Sequence, residues 1–362
     1  LPADLARLVI PQLEEKVRSD FHSLRLTHGD ISCSTSPRRI VLFVKDLPFN
    51  ADDFIEEKKG PPCAQAYIDG LPSKAAIGFA KRCGVETKNL IVKETAKGKF
   101  VFAKIIEEGK STSDLLAELI PKWISSIQGR RFMRWGTGEA RFSRPVRWIL
   151  ALLDNNIIET NMLDYSPILK SSNVSKGHRL YKDEVIINDP KEYFVELEKA
   201  GVYVDRIKRK KLIKSLINDF ACEKNAFADL SNQLLDELTD IVELPSIVIG
   251  DYQPSFLDLP PEVLCTVMRV HQRYIPIYLK DYKNEPLLLD SNDTLLPNFL
   301  CISNGLDSAS KIIKSGNERV IRARFADAKY FVDTDLSIKS SDRIEKLKSV
   351  TFAEGLGSLF DR

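Results

Sequence analysis

Leu5, Val9, Leu13, Val17 and Phe21 recur every four residues near the start of the chain, with Leu8 and Leu24 beside them. That spacing draws one apolar stripe along a helical surface and predicts an amphipathic α-helix. A β-prone stretch follows over 31–44, interrupted at Ser36-Pro37-Arg38-Arg39 and closed by Asp46-Leu47-Pro48. It predicts two strand pieces around a bend. Gly60-Pro61-Pro62 and Gly70-Leu71-Pro72-Ser73 bracket a loop, after which 74–83 reads as a short helix ended by Gly84. The alternation over 89–107 turns around Ala96-Lys97-Gly98-Lys99 and predicts a hairpin. Ser111 caps an expected helix through about Ile127, with Leu115, Leu116, Leu119 and Ile120 facing inward.

Residues 146–163 are strand-like again, and 189–244 turn mostly helical, with helical periods over 193–197, 212–220 and 234–242. Pro260-Pro261-Glu262 opens a further helix, because proline fits a first helical turn, and Pro276 is expected to end it. A last long helix is expected over 317–332, with Ser315-Gly316-Asn317-Glu318 at its start and Asn317 as cap. The pattern predicts an α+β, multidomain chain: a β-rich N-terminal domain over 1–165, a mainly helical segment over 166–255 that reads as a candidate insertion, and a mixed region over 256–362.

Composition keeps this picture within ordinary folded proteins: 362 residues, 43% hydrophobic and 29% charged, with 17 Gly and 18 Pro. The longest apolar run, Trp148 to Leu153, falls far short of the roughly twenty residues that a membrane-spanning helix needs. The chain opens on Leu1 without a basic leader and reads as a trimmed piece of a longer chain. Six scattered cysteines without a Cys-x-x-Cys pair suggest reduced thiols, and four histidines without ligand spacing suggest no metal site.

The net charge of +2 hides two islands. Residues 129–148 hold Arg130, Arg131, Arg134, Arg141, Arg144 and Arg147 against Glu139, and residues 205–214 hold Arg206, Lys208, Arg209, Lys210, Lys211 and Lys214 against Asp205. Each is +5, leaving 41 basic against 49 acidic residues elsewhere, or −8. The first island alternates arginines with Phe132, Trp135, Phe142 and Trp148, a mixture that suits phosphates and stacked bases but equally suits a buried aromatic cluster. The second reads as a solvated helix face or a phosphate-binding one, with Lys211 and Lys214 opposite Ile213 and Ile217. Arg319, Arg322 and Lys329 share one side of the last helix, whose start offers backbone amides to a phosphate. His271 falls at the same helical angle as Leu264 and Val267, and reads as a satisfied core histidine. Candidate RNA contacts are therefore Arg134, Arg141, Arg144, Arg147, Lys208, Lys211, Lys214, Arg319 and Arg322. No phosphate loop, dinucleotide fingerprint, nucleophile elbow or His-Glu-x-x-His motif is present, and no catalytic residue is assigned.

Several blocks in order carry a family resemblance: Thr35-Ser36-Pro37-Arg38-Arg39, Gly60-Pro61-Pro62, Pro72-Ser73-Lys74-Ala75-Ala76, Met133-Arg134-Trp135-Gly136, Phe142-Ser143-Arg144-Pro145-Val146-Arg147-Trp148, Gly177-His178-Arg179, Leu259-Pro260-Pro261-Glu262, Met268-Arg269-Val270-His271-Gln272-Arg273-Tyr274 and Gly316-Asn317-Glu318-Arg319-Val320. With these the whole chain resembles the N-terminal half of the β subunit of the bacterial heterotetrameric glycyl-tRNA synthetase. The resemblance implies an aminoacyl-tRNA synthetase component that binds tRNA(Gly) and contacts the α subunit, with a second β subunit as a further partner. It places the adenylate-forming site, with ATP and Mg, on the α subunit and no cofactor on this chain. It also implies a following domain of the His-Asp phosphohydrolase type, of which no His-Asp pair occurs here, and a setting in a bacterial cytoplasm or a plastid. Two readings stand beside it: an editing-type hydrolase of mischarged tRNA, and a purely structural assembly domain.

Overall fold

The computed structural model describes residues 2–68, 70–95, 98–162, 167–279 and 294–361, arranged as an α+β, multidomain chain with several small sheets. The first helix, Ala3–Ser23, buries Leu5, Val9, Leu13, Val17 and Phe21, the stripe expected from their spacing. It packs on the helix Thr112–Ser126 through Leu115, Leu116, Leu119 and Trp123. Trp123 donates its indole N–H to Asp20 at 2.8 Å, so the buried ring keeps a partner for its polar edge. Strands Ile31–Ser36 and Arg39–Val44 form the expected hairpin, with Ser36 opposite Arg39.

Residues 54–107 build a separate layer. Strands Phe54–Pro62, Gly98–Glu107 and Leu90–Thr95 pair antiparallel with Gly98–Glu107 in the centre, and the helix Lys74–Cys83 covers one face. That helix starts where Ser73 Oγ accepts the Ala75 and Ala76 amides and stops at Gly84, whose φ of 68° suits glycine. It comes very close to the sheet: a Cβ on Gly60 would stand 2.5 Å from the Phe79 ring. Of the expected turn around Ala96-Lys97-Gly98-Lys99, Ala96 and Lys97 lie outside the described residues, as does Leu163 at the end of the strand-like 146–163. The remainder of that stretch forms only short pairs, among them Ile149–Leu150 and Leu152–Leu153.

The basic helix Arg206–Glu223 is capped by Asp205, which accepts the Ile207 and Lys208 amides. Its buried Ile213, Ile217 and Phe220 meet Leu234, Leu235 and Leu238 of the helix Asn232–Ile241 on a four-stranded antiparallel sheet. In that sheet Ala226–Ala228, Ile275–Leu279, Leu295–Ser303 and Ser246–Asp251 lie side by side in this order. The helical stretch and the strands that follow it therefore share one core. The long helix Ser310–Ser337 closes a neighbouring core with Ile321 and Phe325.

Three expectations near the C-terminal side are corrected. The helix begun at Pro261 passes into a π-helical turn, Val267–Gln272, and ends at Arg273 with φ 57°, while Pro276 sits inside a strand. The wider turn shifts the helical phase, so His271 is exposed rather than in the core. The last helix begins at Ser310, so Ser315-Gly316-Asn317-Glu318 is helix interior; Asn317 is no cap, and its neighbours' amides are not a free phosphate site.

The cores are tied together by a buried polar network around Glu243, which is 1% exposed. Its Oε1 accepts from Ser36 Oγ at 2.6 Å and from Arg39 Nη2 at 3.2 Å, and its Oε2 accepts from Arg38 Nε at 2.9 Å. Arg39 also donates to the Lys176 carbonyl at 2.8 Å, and Arg38 to the Gly177 carbonyl. Asn304 Oδ1 accepts the Glu243 and Leu244 amides, and its carbonyl accepts from Nε2 of the fully buried His178 at 3.1 Å. Burial alone would raise the Glu243 carboxyl, but Arg39, Ser36 and Arg38 together hold it below its ordinary 4.5. The stabilisation from this group is therefore complete above pH 4.5 and is lost as pH falls through the depressed value of the folded state. Removing one side of a buried pair leaves unpaired charge, so Glu243→Gln is expected to lower unfolding free energy by about 3–5 kcal/mol in urea titrations. Its stability should also fall less steeply than the parent's below pH 4.5.

Candidate nucleic-acid interface

The two islands carry equal charge, but the fold uses them differently. In the first, the strand pair Met133–Arg134 with Arg141–Phe142 sets Met133 opposite Phe142 and Arg134 opposite Arg141. Phe142 is buried in the N-terminal core, and Phe132 packs on it with ring centres 5.1 Å apart. Trp135 donates its indole N–H to the Phe142 carbonyl at 3.1 Å. These rings anchor the stretch from inside, and the arginines are left outside. Arg130, Arg131, Arg134, Arg141, Arg144 and Arg147 are all exposed. Arg134 pairs with Glu139 at 2.8 Å, and Arg144 donates to its neighbour's carbonyl, that of Ser143, at 2.7 Å. Among the described residues, Arg130, Arg131, Arg141, Arg144 and Arg147 have no carboxylate within 4.0 Å.

Arg144, Arg147 and Trp148 line a cleft of about 970 Å³ between this stretch, the first hairpin and the helix Thr112–Ser126. Its walls carry the cations Arg38, Arg39, Lys45, Arg144, Arg147 and Lys191 against the acids Asp46, Asp154 and Asp189, over a largely apolar floor. The Arg39 guanidinium stands 5.7 Å from the centre of the Trp148 ring, a cation–π arrangement that holds the ring at the wall.

The second island is mostly consumed by the fold. Arg206 binds Asp240 at 2.7 Å and Asp236 at 2.9 Å, Lys208 binds Glu198 at 2.6 Å, and Lys210 binds Asp236 at 2.8 Å. Arg209 is fully buried and donates to four backbone carbonyls: Thr239 at 2.8 Å, Tyr203 at 2.5 Å, Val204 at 3.1 Å and Thr35 at 2.7 Å. Burial lowers this guanidinium to about 10, which still leaves it charged at neutral pH. Lys211 and Lys214 remain exposed on the outer face of the helix. Arg319 and Arg322 are exposed on the long helix Ser310–Ser337. Of the nine candidate contacts, Arg144 and Arg147 share the cleft wall; Arg134, Arg141, Lys208, Lys211, Lys214, Arg319 and Arg322 do not line it. Sequence reading missed Arg38, Arg39, Lys45 and Lys191 as cleft cations, since Arg38 and Arg39 read as part of a bend and no motif marks Lys45 or Lys191.

A protein-family model described as glycyl-tRNA synthetase beta subunit matches residues 1–362. The chain belongs to that family. It is 41% identical to the glycine–tRNA ligase beta subunit of Acaryochloris marina over 99% of this chain and 49% of the relative. To that of Bacillus subtilis it is 35% identical, over 100% of this chain and 51% of the relative. It thus spans about half the length of the curated relatives it matches. Two of the blocks that resembled the glycyl-tRNA synthetase β family, Thr35-Ser36-Pro37-Arg38-Arg39 and Gly177-His178-Arg179, meet at Glu243 and Asn304, where they work as internal joints.

The contrast within the basic helix is measurable. Arg209→Lys cannot reach four carbonyls and is expected to cost about 3 kcal/mol in denaturant unfolding, as buried acceptors lose their donors. Lys211→Ala with Lys214→Ala should stay within about 0.5 kcal/mol of the parent, the ordinary range for exposed substitutions.

Proposed function

We propose that this chain serves a glycine–tRNA ligase as the part of its β subunit that contacts tRNA(Gly) and the α subunit, with glycyl-adenylate formed from glycine and ATP on the α subunit. The observation that carries this reading is the set of five exposed arginines that have no acidic partner among the described residues, between 130 and 147, where buried Phe142 and half-buried Phe132 and Trp135 anchor the stretch. Guanidinium groups not neutralised within the fold are available to phosphate oxygens, and planar N–H forks match phosphate geometry. Membership in the glycyl-tRNA synthetase β family is consistent with tRNA as their polyanion. No helix among the described residues is long and apolar enough to cross a membrane, and the bacterial relatives fit a cytoplasmic setting.

Three thiols are shielded by the fold, Cys265 buried and Cys33 and Cys301 half-buried. Burial, with the Glu14 carboxylate nearby, pushes Cys33 up to about 12; burial pushes Cys301 up to about 11 and raises Cys265. All three therefore stay protonated and poorly nucleophilic at neutral pH.

The test is the triple variant Arg141→Gln, Arg144→Gln and Arg147→Gln in the complete α and β enzyme. tRNA binding is expected to weaken, and the slope of log K against log salt to flatten by about 2–3, since each lost phosphate contact removes about 0.7–0.9. Glycine-dependent ATP–pyrophosphate exchange, which needs no tRNA, should keep the parent rate. A folded triple variant with an unchanged salt slope overturns the assignment.

A further inference from the structure

The three-stranded sheet of residues 54–107 has one covered face and one open one. Val101 and Ala103 are fully buried on the covered side, against Ala76, Phe79 and Ala80. Side chains alternate along a strand, so Phe100, Phe102 and Lys104 point to the other side. Phe100 and Phe102 lie outside the core that the helix Lys74–Cys83 makes with the sheet. They stand on the central strand, and the edge strands flank them in register, Lys59 opposite Phe102 and Lys93 opposite Phe100. The lysines lean across the rings: Lys59 Nζ is 3.5 Å from the centre of Phe100 and Lys93 Nζ is 5.8 Å from that of Phe102. Lys104 is exposed on the same face, and Glu57 is the one acid that the pairing places among them, bound to Lys93 at 2.6 Å. Ile55, Ile91 and Ile106 extend the face and are all exposed.

We infer that this open face is a stacking platform for single-stranded RNA, a second contact surface separate from the arginine stretch. Two rings at positions i and i+2 of a strand are about 7 Å apart, within reach of two successive unstacked bases. Lysines beside the rings are placed for the flanking phosphates, and their long stems let them swing off the rings when a base arrives. Three lysines against one carboxylate complement a polyanion. A protein partner is the poorer match, since the centre of a protein interface is depleted in lysine. The close contact of Gly60 with Phe79 clamps helix and sheet together behind the platform, so the two rings are presented on a rigid support.

This inference rests on the reading that the chain contacts RNA, and its test separates the two. The probe is a short fluorescent single-stranded oligoribonucleotide, alone and annealed to its complement, titrated with the 362-residue chain over a series of salt concentrations. Phe100→Ala with Phe102→Ala is expected to weaken single-strand binding about tenfold or more with the salt slope unchanged, because each stacked base contributes about 1–3 kcal/mol. Duplex binding should barely move, and Phe100→Tyr with Phe102→Tyr should bind like the parent. The arginine variants should show the reverse, a flattened slope. If the Phe→Ala pair binds the single strand as the parent does while the arginine variants lose affinity, the platform is wrong and the proposed function stands. If the parent chain binds no single strand, the platform is wrong; tRNA binding by the complete enzyme then decides the proposed function by itself. Loss of α-subunit association in the Phe→Ala pair, with RNA binding intact, would identify the face as a protein contact and overturn the inference.

Discussion

A carboxylate cut off from water must be met by cations, and Glu243 sets the terms for much of this structure. Desolvating one such group costs several kcal/mol unless charge and hydrogen bonds replace its hydration. Here the replacements come from the first hairpin, through Ser36, Arg38 and Arg39. The arginines in turn spend their other N–H groups on the carbonyls of Lys176 and Gly177, and Asn304 fixes the Glu243 backbone. Four segments distant in sequence are therefore held at one point. The same hairpin forms a wall of the cleft that Arg144 and Arg147 line, so the Glu243 joint and those exposed arginines meet on one element.

Charge in a sequence window is not charge available to a ligand. Both islands are +5, yet Glu198, Asp236 and Asp240 engage Arg206, Lys208 and Lys210 of the second, and its Arg209 is spent on backbone carbonyls. The first keeps its charge because its rings, and not its guanidinium groups, make the attachments to the core.

Strong periods were legible in advance: the four-residue stripe of Ala3–Ser23, the helix Lys74–Cys83 with its stop at Gly84, and the strands of the 89–107 hairpin. What escaped was tertiary. Gly316 resembled a boundary, but a side chain there would meet open space and the helix simply runs through it. His271 had the spacing of a core residue until the π turn changed the angle per residue. The run from Arg206 to Lys214 gives no sign that Arg209 alone turns inward, because the cavity of carbonyls that receives it is assembled from residues 35, 203, 204 and 239. Alternation revealed a hairpin at Phe100 and Phe102 but could not say which of its faces a helix would cover.

The hairpin's joint also has a timetable. Ser36 and Glu243 are 207 residues apart in the chain. At about 5–20 residues per second of synthesis, the acid follows the hairpin by about 10–40 s. For that interval Arg38 and Arg39 lack the Glu243 carboxylate, although Ile40, Leu42 and Val44 of the same hairpin already have the N-terminal core to pack on. The N-terminal core and the hairpin's apolar side can assemble in the meantime, and what comes late is the acid that neutralises the arginine end of the hairpin.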